Sequence, residues 1–146
     1  MKNKRGLISI AILAAIIFSA FIITLSLAYY ALYNLRMASE RSLSLEKYKV
    51  EVLKTTESFF VLNFTTNTID YRVKTAYDIR IAMYVIIYRS GDKLLPKIIS
   101  CVNDCYLIPG INSKKLSPPP GIPLSDIVGF KIVTEEGIVI PVPRRL

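Results

Sequence analysis

The stretch LISIAILAAIIFSAFIITLSLAYYALY, Leu7 to Tyr33, decides the architecture of this chain. It has 27 residues and contains no charged residue, no proline and no glycine. A helix of that length measures ~40 Å, which exceeds the ~30 Å hydrocarbon core of a bilayer. Because the segment is apolar on every helical face, the sequence predicts a transmembrane helix. The alternative is a central core helix in a soluble protein.

The residues on either side of this segment indicate its orientation. Lys2, Lys4 and Arg5 precede it, and the next charged residue after it is Arg36. A short basic N-terminus favours the cytoplasmic side, so the rest of the chain is predicted to lie outside the membrane. The apolar run is longer than the core of a cleaved secretory signal, and no clear A-x-A-like site comes after it. We therefore expect an anchor that stays in the mature protein.

Composition limits the size and the partners of the region beyond the anchor. The chain has 146 residues, which leaves room for one small exterior domain. The net charge of +8 is scattered, and three of the 19 basic residues lie in the first five positions. There is no basic stripe with interleaved aromatic residues, so we predict no nucleic-acid partner.

The two cysteines, Cys101 and Cys105, lie in the segment CVNDC. An exterior location permits a disulfide, and the three intervening residues suit a tight turn. Two free thiols, or half of a metal site, are the alternatives. The chain contains no histidine, so a zinc site would need ligands from a partner chain. We predict a disulfide, with no metal and no cofactor.

The chain divides into three predicted regions, namely a basic leader (1–6), a transmembrane helix and stalk (7–46) and an exterior β-sandwich domain (47–146). The segment from Asn34 to Glu46 lacks glycine and proline, so the helix is predicted to continue through it. In KYKVEVLK, Lys47 to Lys54, apolar and charged residues alternate, which predicts a strand with one wet face. Two further turns of helix are the alternative.

The remaining sequence is typical of strands. Seven short segments, separated by turn signals every ~8–12 residues, predict a small antiparallel β-sandwich and hence an α+β fold. The strand at 78–88 should bury Ile79, Ile81, Met83, Val85 and Ile87 on one face. The proline-rich stretch from Pro109 to Pro123 is predicted to be a loop, either a rigid connection or a ligand for an aromatic groove. The predicted strands are 58–66, 68–74, 78–88, 94–101, 106–108, 128–133 and 138–142.

Catalytic motifs are missing from the sequence. Without histidine the usual general base is absent, and there is no G-x-S-x-G, no S-x-x-K and no glycine-rich phosphate loop. We therefore predict that the protein is not an enzyme. A membrane enzyme completed by a partner chain is a third class, to be tested at Asp70, Asp78 and Asp92. Asn63 begins the triplet Asn-Phe-Thr, which predicts a glycosylation site in an exterior segment.

The N-terminus resembles that of a known family. KRG at positions 4–6, succeeded directly by LISI at 7–10, is similar to the class III signal peptide of archaeal type IV pilin-like proteins. The resemblance implies that a prepilin peptidase cuts between Gly6 and Leu7 and leaves the apolar helix on the mature chain. It also implies a long helix that runs into a β-sandwich. The segment FKIVTEEGIVIPV, Phe130 to Val142, is similar to the closing strand pair of that family.

These observations support two possible functions. The resemblance implies a structural subunit of a type IV pilus-like filament, a homo-oligomer through its N-terminal helix, with the prepilin peptidase and an assembly machinery as partners. The alternative is a singly anchored exterior β domain that serves as a binding module or as an accessory subunit of a membrane complex. Both place the chain in the cell membrane with one pass and its C-terminal domain outside, and an assembled filament would be extracellular.

Overall fold

A computed structural model describes the backbone of residues 3–145 and the side chains of residues 9–145. One long helix is succeeded by eight strands, so the predicted α+β architecture is confirmed. The chain separates into two compact units, one ending at Lys47 and the other beginning at Tyr48.

Helix α1 spans Asn3–Thr55 and therefore continues past the predicted end at Glu46. The strand predicted at 47–54 is wrong, and the alternative of further helix is right. Tyr48 and Val52 are four residues apart and so lie on one helical face. Val52 is fully buried in the core of the second unit, and Tyr48 packs against that core. The helix ends where the Thr56 hydroxyl donates to the Val52 carbonyl at 2.6 Å.

The strands form two antiparallel sheets. One has the order β1-β2-β6. The other has the order β4-β3-β7-β8, and the short strand β5 pairs with the beginning of β3. The strands are β1 Glu57–Asn63, β2 Thr68–Thr75, β3 Ile79–Ser90, β4 Lys93–Ser100, β5 Tyr106–Leu107, β6 Gly110–Leu116, β7 Ile127–Thr134 and β8 Val139–Val142. Each of the seven strands predicted beyond residue 57 is confirmed, with ends that differ by a few residues.

The core lies between the two sheets, which pack face to face. The ring of Phe130, from β7, lies 5.2 Å from that of Tyr71 and 5.8 Å from those of Phe60 and Tyr84, measured between centroids. Phe60 and Tyr71 belong to the three-stranded sheet, and Tyr84 and Phe130 to the five-stranded one. Aromatic rings bury large apolar areas, so this cluster contributes strongly to holding the sheets together.

A register shift in β3 changes which of its residues are buried. The pairing with β7 slips between Ile81 and Met83, as it does in a β-bulge. Ile79 and Ile81 are buried as predicted. After the slip, the buried positions are Tyr84 and Ile86. The predicted burial of Met83, Val85 and Ile87 on the core face is therefore wrong, because a one-residue shift moves the subsequent side chains to the opposite face.

The loop predicted at 109–123 is also partly wrong. Gly110–Leu116 forms β6, which pairs with β2 along its whole length. Gly110 has φ of +113°, a conformation that side chains other than glycine rarely adopt, and this lets the chain turn directly into the strand. The proline-rich part after Leu116 has no regular structure until Leu124, as predicted.

The C-terminal segment joins the two sheets. Strand β8 lies at an edge of the five-stranded sheet, a position that tolerates Pro141. The chain then runs beside β1, where the Phe60 amide donates to the Pro143 carbonyl at 2.9 Å. The Arg145 amide donates to the Phe60 carbonyl at 2.8 Å. Both sheets are thereby tied together by backbone hydrogen bonds.

Candidate functional site

The helical surface between residues 9 and 33 is the most unusual feature of the chain. Its large apolar side chains have exposed fractions between 48% and 72%, and none of the most apolar window is buried. The helix is long and apolar enough to span a membrane, with a mean hydropathy of 2.7 over that window. A helix that is apolar all round requires an apolar environment, either lipid or other apolar helices.

Two polar side chains of this segment form hydrogen bonds within the helix itself. The Ser19 hydroxyl donates to the Ala15 carbonyl, and the Thr24 hydroxyl donates to the Ala20 carbonyl, both at 2.8 Å. Such internal bonds remove the cost of placing a hydroxyl in hydrocarbon. The surface that this segment presents is therefore apolar at these positions too.

The implied cleavage site lies at the beginning of the same helix. Gly6 and Leu7 are within the helical backbone of α1. The structure describes no side chain before residue 9, and Met1 and Lys2 of the basic leader lie outside the described residues. Cleavage between Gly6 and Leu7 therefore stays a prediction.

The cysteines are joined as predicted. A disulfide links Cys101 and Cys105, whose Cα atoms are 5.8 Å apart. The two ends of this loop are tied to β3, because the Cys101 amide donates to the Ala82 carbonyl at 3.0 Å and the Ile81 amide donates to the Cys105 carbonyl at 2.7 Å. The loop is thus closed covalently and anchored by two backbone hydrogen bonds.

A lysine that no sequence motif marks supports this loop. Lys114 of β6 is only 12% exposed, and its Nζ lies 2.9 Å from Oδ1 of Asp104. The same Nζ donates to the carbonyls of Asp104 and, at 2.6 Å, of Tyr106. Asp104 has φ of +53°, in the left-handed region that aspartate tolerates in turns. Lys114 therefore connects the three-stranded sheet to the disulfide loop.

The predicted glycosylation site lies at the end of β1. The Asn63 side chain is half-buried, and its Oδ1 accepts from the amides of Thr65 and Thr66 at 3.2 Å. Its Nδ2, the atom that a glycan would modify, donates to Asp70 at 3.1 Å. The hydroxyl of Thr68 also donates to Asp70. The bond from Thr68 is the largest cause, and the bond from Asn63 the next, of the lowered pKa of the Asp70 carboxyl. Asn63 thus organises the turn between β1 and β2.

The acidic residues considered for catalysis are not brought together. Asp70 is held in the turn just described, and Asp78 and Asp92 lie beyond the opposite ends of β3. Within residues 9–145, no group of three or more histidine, cysteine, aspartate or glutamate side chains could hold a metal ion.

Comparisons with protein-family models, with curated proteins and with solved structures find no match to this chain. Its function must therefore be argued from its own surfaces, of which the apolar segment of α1 is the most extensive.

Proposed function

We propose that this protein is a structural subunit of a type IV pilus-like filament on the cell surface. In this proposal the chain is first held in the cell membrane by its apolar helix, with the β domain outside. The helices of many copies then leave the lipid and bundle as the filament core, while the β domains form the outer sheath. The observation that carries the proposal is the exposed apolar surface of residues 9–33, which suits lipid and neighbouring helices equally well.

The spacing of small residues along this segment supports helix bundling. Ala11, Ala15 and Ser19 succeed one another at intervals of four, and so lie along one helical face. Small residues let helix backbones approach closely, which is how helices associate where there is no water. The Ser19 hydroxyl bonds to its own helix and so does not obstruct this face.

Processing at the N-terminus belongs to the same proposal. A prepilin peptidase would cut between Gly6 and Leu7, remove the basic leader and leave the apolar helix at the new N-terminus. The disulfide between Cys101 and Cys105 supports an exterior, oxidising location for the β domain. Asn63 is proposed as a glycan acceptor in that location, and a glycan there would have to displace the bond of Nδ2 to Asp70.

Two measurements on the native protein test this function. Mass spectrometry of the intact chain should give an N-terminus at Leu7, and electron microscopy with a specific antibody should find fibres that contain the chain. A chain that keeps Met1 or Lys2 and forms no fibres in cells would overturn the proposal.

A second candidate is a singly anchored β domain that binds a partner on the outside of the cell. It is favoured by the exposed face of the three-stranded sheet, where the guanidinium groups of Arg72 and Arg145 lie 5.7 Å and 4.9 Å from the centre of the Phe59 ring. A shallow groove beside Phe59 has a volume of about 240 Å³. Such a cluster suits an anionic or aromatic group of a glycan or protein. An intact N-terminus, together with binding that is lost in Phe59→Ala, would support this candidate.

A further inference from the structure

The outward face of the three-stranded sheet holds two arginines against one aromatic ring. Arg72 lies directly between Phe59 and Ser113, in a row across β1, β2 and β6. Arg145 lies at the other edge of β1, where its amide bonds to Phe60. Both arginines are exposed, and both guanidinium groups lie over the Phe59 ring. A guanidinium held against a ring face keeps the N–H donors at its edge free for a further partner.

Neither arginine is neutralised by the domain. Along residues 9–145, the guanidinium groups of Arg72 and Arg145 form no ion pair with a carboxylate. The Nε of Arg72 donates to the Ser113 hydroxyl at 3.3 Å, which leaves its two terminal amino groups for another acceptor. A pair of such parallel donors matches the two oxygens of one carboxylate. Arg72 is therefore positioned to recognise a carboxylate that the domain does not supply.

The groove beside Arg72 limits the size of the ligand. We call it the Phe59 groove, and its lining includes Phe59, Val61, Asp70, Arg72 and Ser113. Its volume is about 240 Å³. Pockets that take a drug-sized ligand have volumes of about 300–1,000 Å³. The Phe59 groove is smaller, so its ligand should be a small unit of about the size of one sugar ring.

A carboxylate within the groove favours a ligand that also carries hydroxyls. Asp70 lies two residues before Arg72 on β2, and so on the same face of the sheet. Its oxygens accept from Thr68 and Asn63, and each oxygen keeps a lone pair for a further donor. An acidic peptide with several carboxylates would place like charges beside Asp70, which is unfavourable. A sugar acid has hydroxyls next to its one carboxylate, and these hydroxyls donate to Asp70.

We infer that the Phe59 groove binds a sugar acid, with the sugar carboxylate on Arg72 and the ring hydroxyls on Asp70. This inference deepens the second candidate function, and it rests on the proposed exterior location of the β domain, where glycans are met. It does not depend on a filament, because one copy of the domain contains the whole groove. A free sugar acid and a polysaccharide of such units offer the same chemistry, so the experiment separates the two sources.

Titration of the full-length, isotope-labelled protein in detergent micelles tests the site by nuclear magnetic resonance. Sodium glucuronate should give saturable shifts of the Arg72 Nε–H signal and of the amides of Phe59 and Ser113. Glucose is the matched ligand, since it has the same ring without the carboxylate, and it should bind at least about tenfold more weakly. Sodium sulfate, an anion without a sugar ring, should also bind more weakly than glucuronate.

Variants of Arg72 test which side chain holds the carboxylate. Arg72→Gln removes the charge and should lower the affinity for glucuronate at least about tenfold. Arg72→Lys keeps the charge but loses the paired donors, and we expect a loss of at least about threefold. Arg89→Gln is the matched control, because Arg89 is an exposed arginine of β3 on the other sheet, and it should bind within about twofold of the wild type.

Competition identifies the source of the sugar acid. Displacement of glucuronate by polygalacturonate would indicate a polysaccharide, whereas binding of glucuronate alone would indicate the free sugar acid. Either result supports the assignment of the groove. Tighter binding of polyglutamate than of polygalacturonate would assign the groove to an acidic protein and overturn the inference.

The remaining outcomes separate this inference from the filament. Glucose or sulfate that binds as tightly as glucuronate, or an Arg72→Gln variant that binds like Arg89→Gln, overturns the inference. These titrations give the same reading whether or not the chain forms fibres. Sugar-acid binding by a chain that forms no fibres would remove the filament and keep the groove, and fibres without sugar-acid binding would do the reverse.

Discussion

The side-chain hydroxyls of Tyr71 and Tyr84 lie 2.8 Å apart, one from each sheet. Both side chains are buried, and burial raises the pKa of both hydroxyls. Each hydroxyl is the hydrogen-bond partner of the other, so neither pays the cost of an unpaired buried polar group. Because a hydrogen bond is directional, this bond specifies the alignment of the two sheets more narrowly than the apolar contacts around it do.

Removal of one of the two hydroxyls should destabilise the fold. In Tyr71→Phe or Tyr84→Phe the remaining hydroxyl loses its partner, so we expect each variant to lower the free energy of unfolding by about 1–3 kcal/mol. The double variant should cost less than the sum of the two, because no hydroxyl is then left unpaired. Denaturant titration of the full-length protein in detergent, monitored by circular dichroism, measures all three. Strictly additive losses would contradict this role of the pair.

The same pair predicts a dependence on alkaline pH. In the unfolded chain a tyrosine ionises at about pH 10. In the folded chain the pKa of Tyr71 is raised, and burial is the largest cause. The unfolded state therefore releases this proton first, so stability is intact below about pH 10 and falls as the pH rises above it. The slope for one such group is about 1.4 kcal/mol per pH unit. Denaturant titrations of wild type and Tyr71→Phe above this pH should give a shallower fall for the variant, and equal slopes would refute the assignment.

Loss of the disulfide should act most strongly on its own loop. The closed loop between Cys101 and Cys105 is short, so the chain-entropy account gives a stabilisation of about 2 kcal/mol. Hydrogen exchange measured with and without reductant, and in the double variant Cys101→Ser with Cys105→Ser, should show faster exchange at residues 101–107. Core amides that exchange only when the whole domain unfolds should speed up by no more than that global loss of about 2 kcal/mol. Unchanged exchange in the loop would mean that its backbone bonds to β3 suffice without the disulfide.

Replacement of Lys114, which holds the disulfide loop from strand β6, should also destabilise that loop. Lys114→Met leaves the carbonyls of Asp104 and Tyr106 without their charged donor, and we expect a loss of about 1.5–3 kcal/mol in unfolding free energy. Lys115→Met is the matched control, because Lys115 is exposed, and it should change stability by less than about 0.5 kcal/mol. Thermal melts of the two variants side by side make the comparison. Equal melting temperatures would show that Lys114 is a surface residue without a structural role.

Much of the fold could be predicted because its signals are local. Uninterrupted apolarity identified the helix, and turn signals separated the strands. Gly91 and Gly137, which both have positive φ, lie in the two hairpin turns of the five-stranded sheet. The disulfide was predictable from the spacing of the two cysteines and the expected compartment.

The errors arose where tertiary contacts decide between local alternatives. Residues 47–54 alternate like a strand, but Tyr48 and Val52 also fit one helical face, and the core of the second unit selects the helix. In β3, the bulge after Ile81 reverses the faces, which the sequence does not reveal because apolar residues occupy both sets of positions. Strand β6 was missed because its pairing with β2 provides the hydrogen bonds that its own sequence does not predict.

The candidate surfaces were predictable to different degrees. The apolar helix was evident from composition, whereas the outward apolar side chains of the five-stranded sheet, such as Val85, Ile87 and Ile98, depend on the bulge and on the register of four strands. The sequence does contain one indication of this outward apolar face. Between Met83 and Ile87 the sequence has no polar residue except the Tyr84 hydroxyl, which is typical of a strand covered on both faces.

The central claim is that residues 9–33 occupy an environment without water. Sedimentation of the full-length chain, expressed and fractionated with and without detergent, tests it most directly. We expect the chain to be recovered with membranes or fibres, and to enter solution as a monomer only when detergent is present. A freely soluble monomer without detergent would contradict the claim.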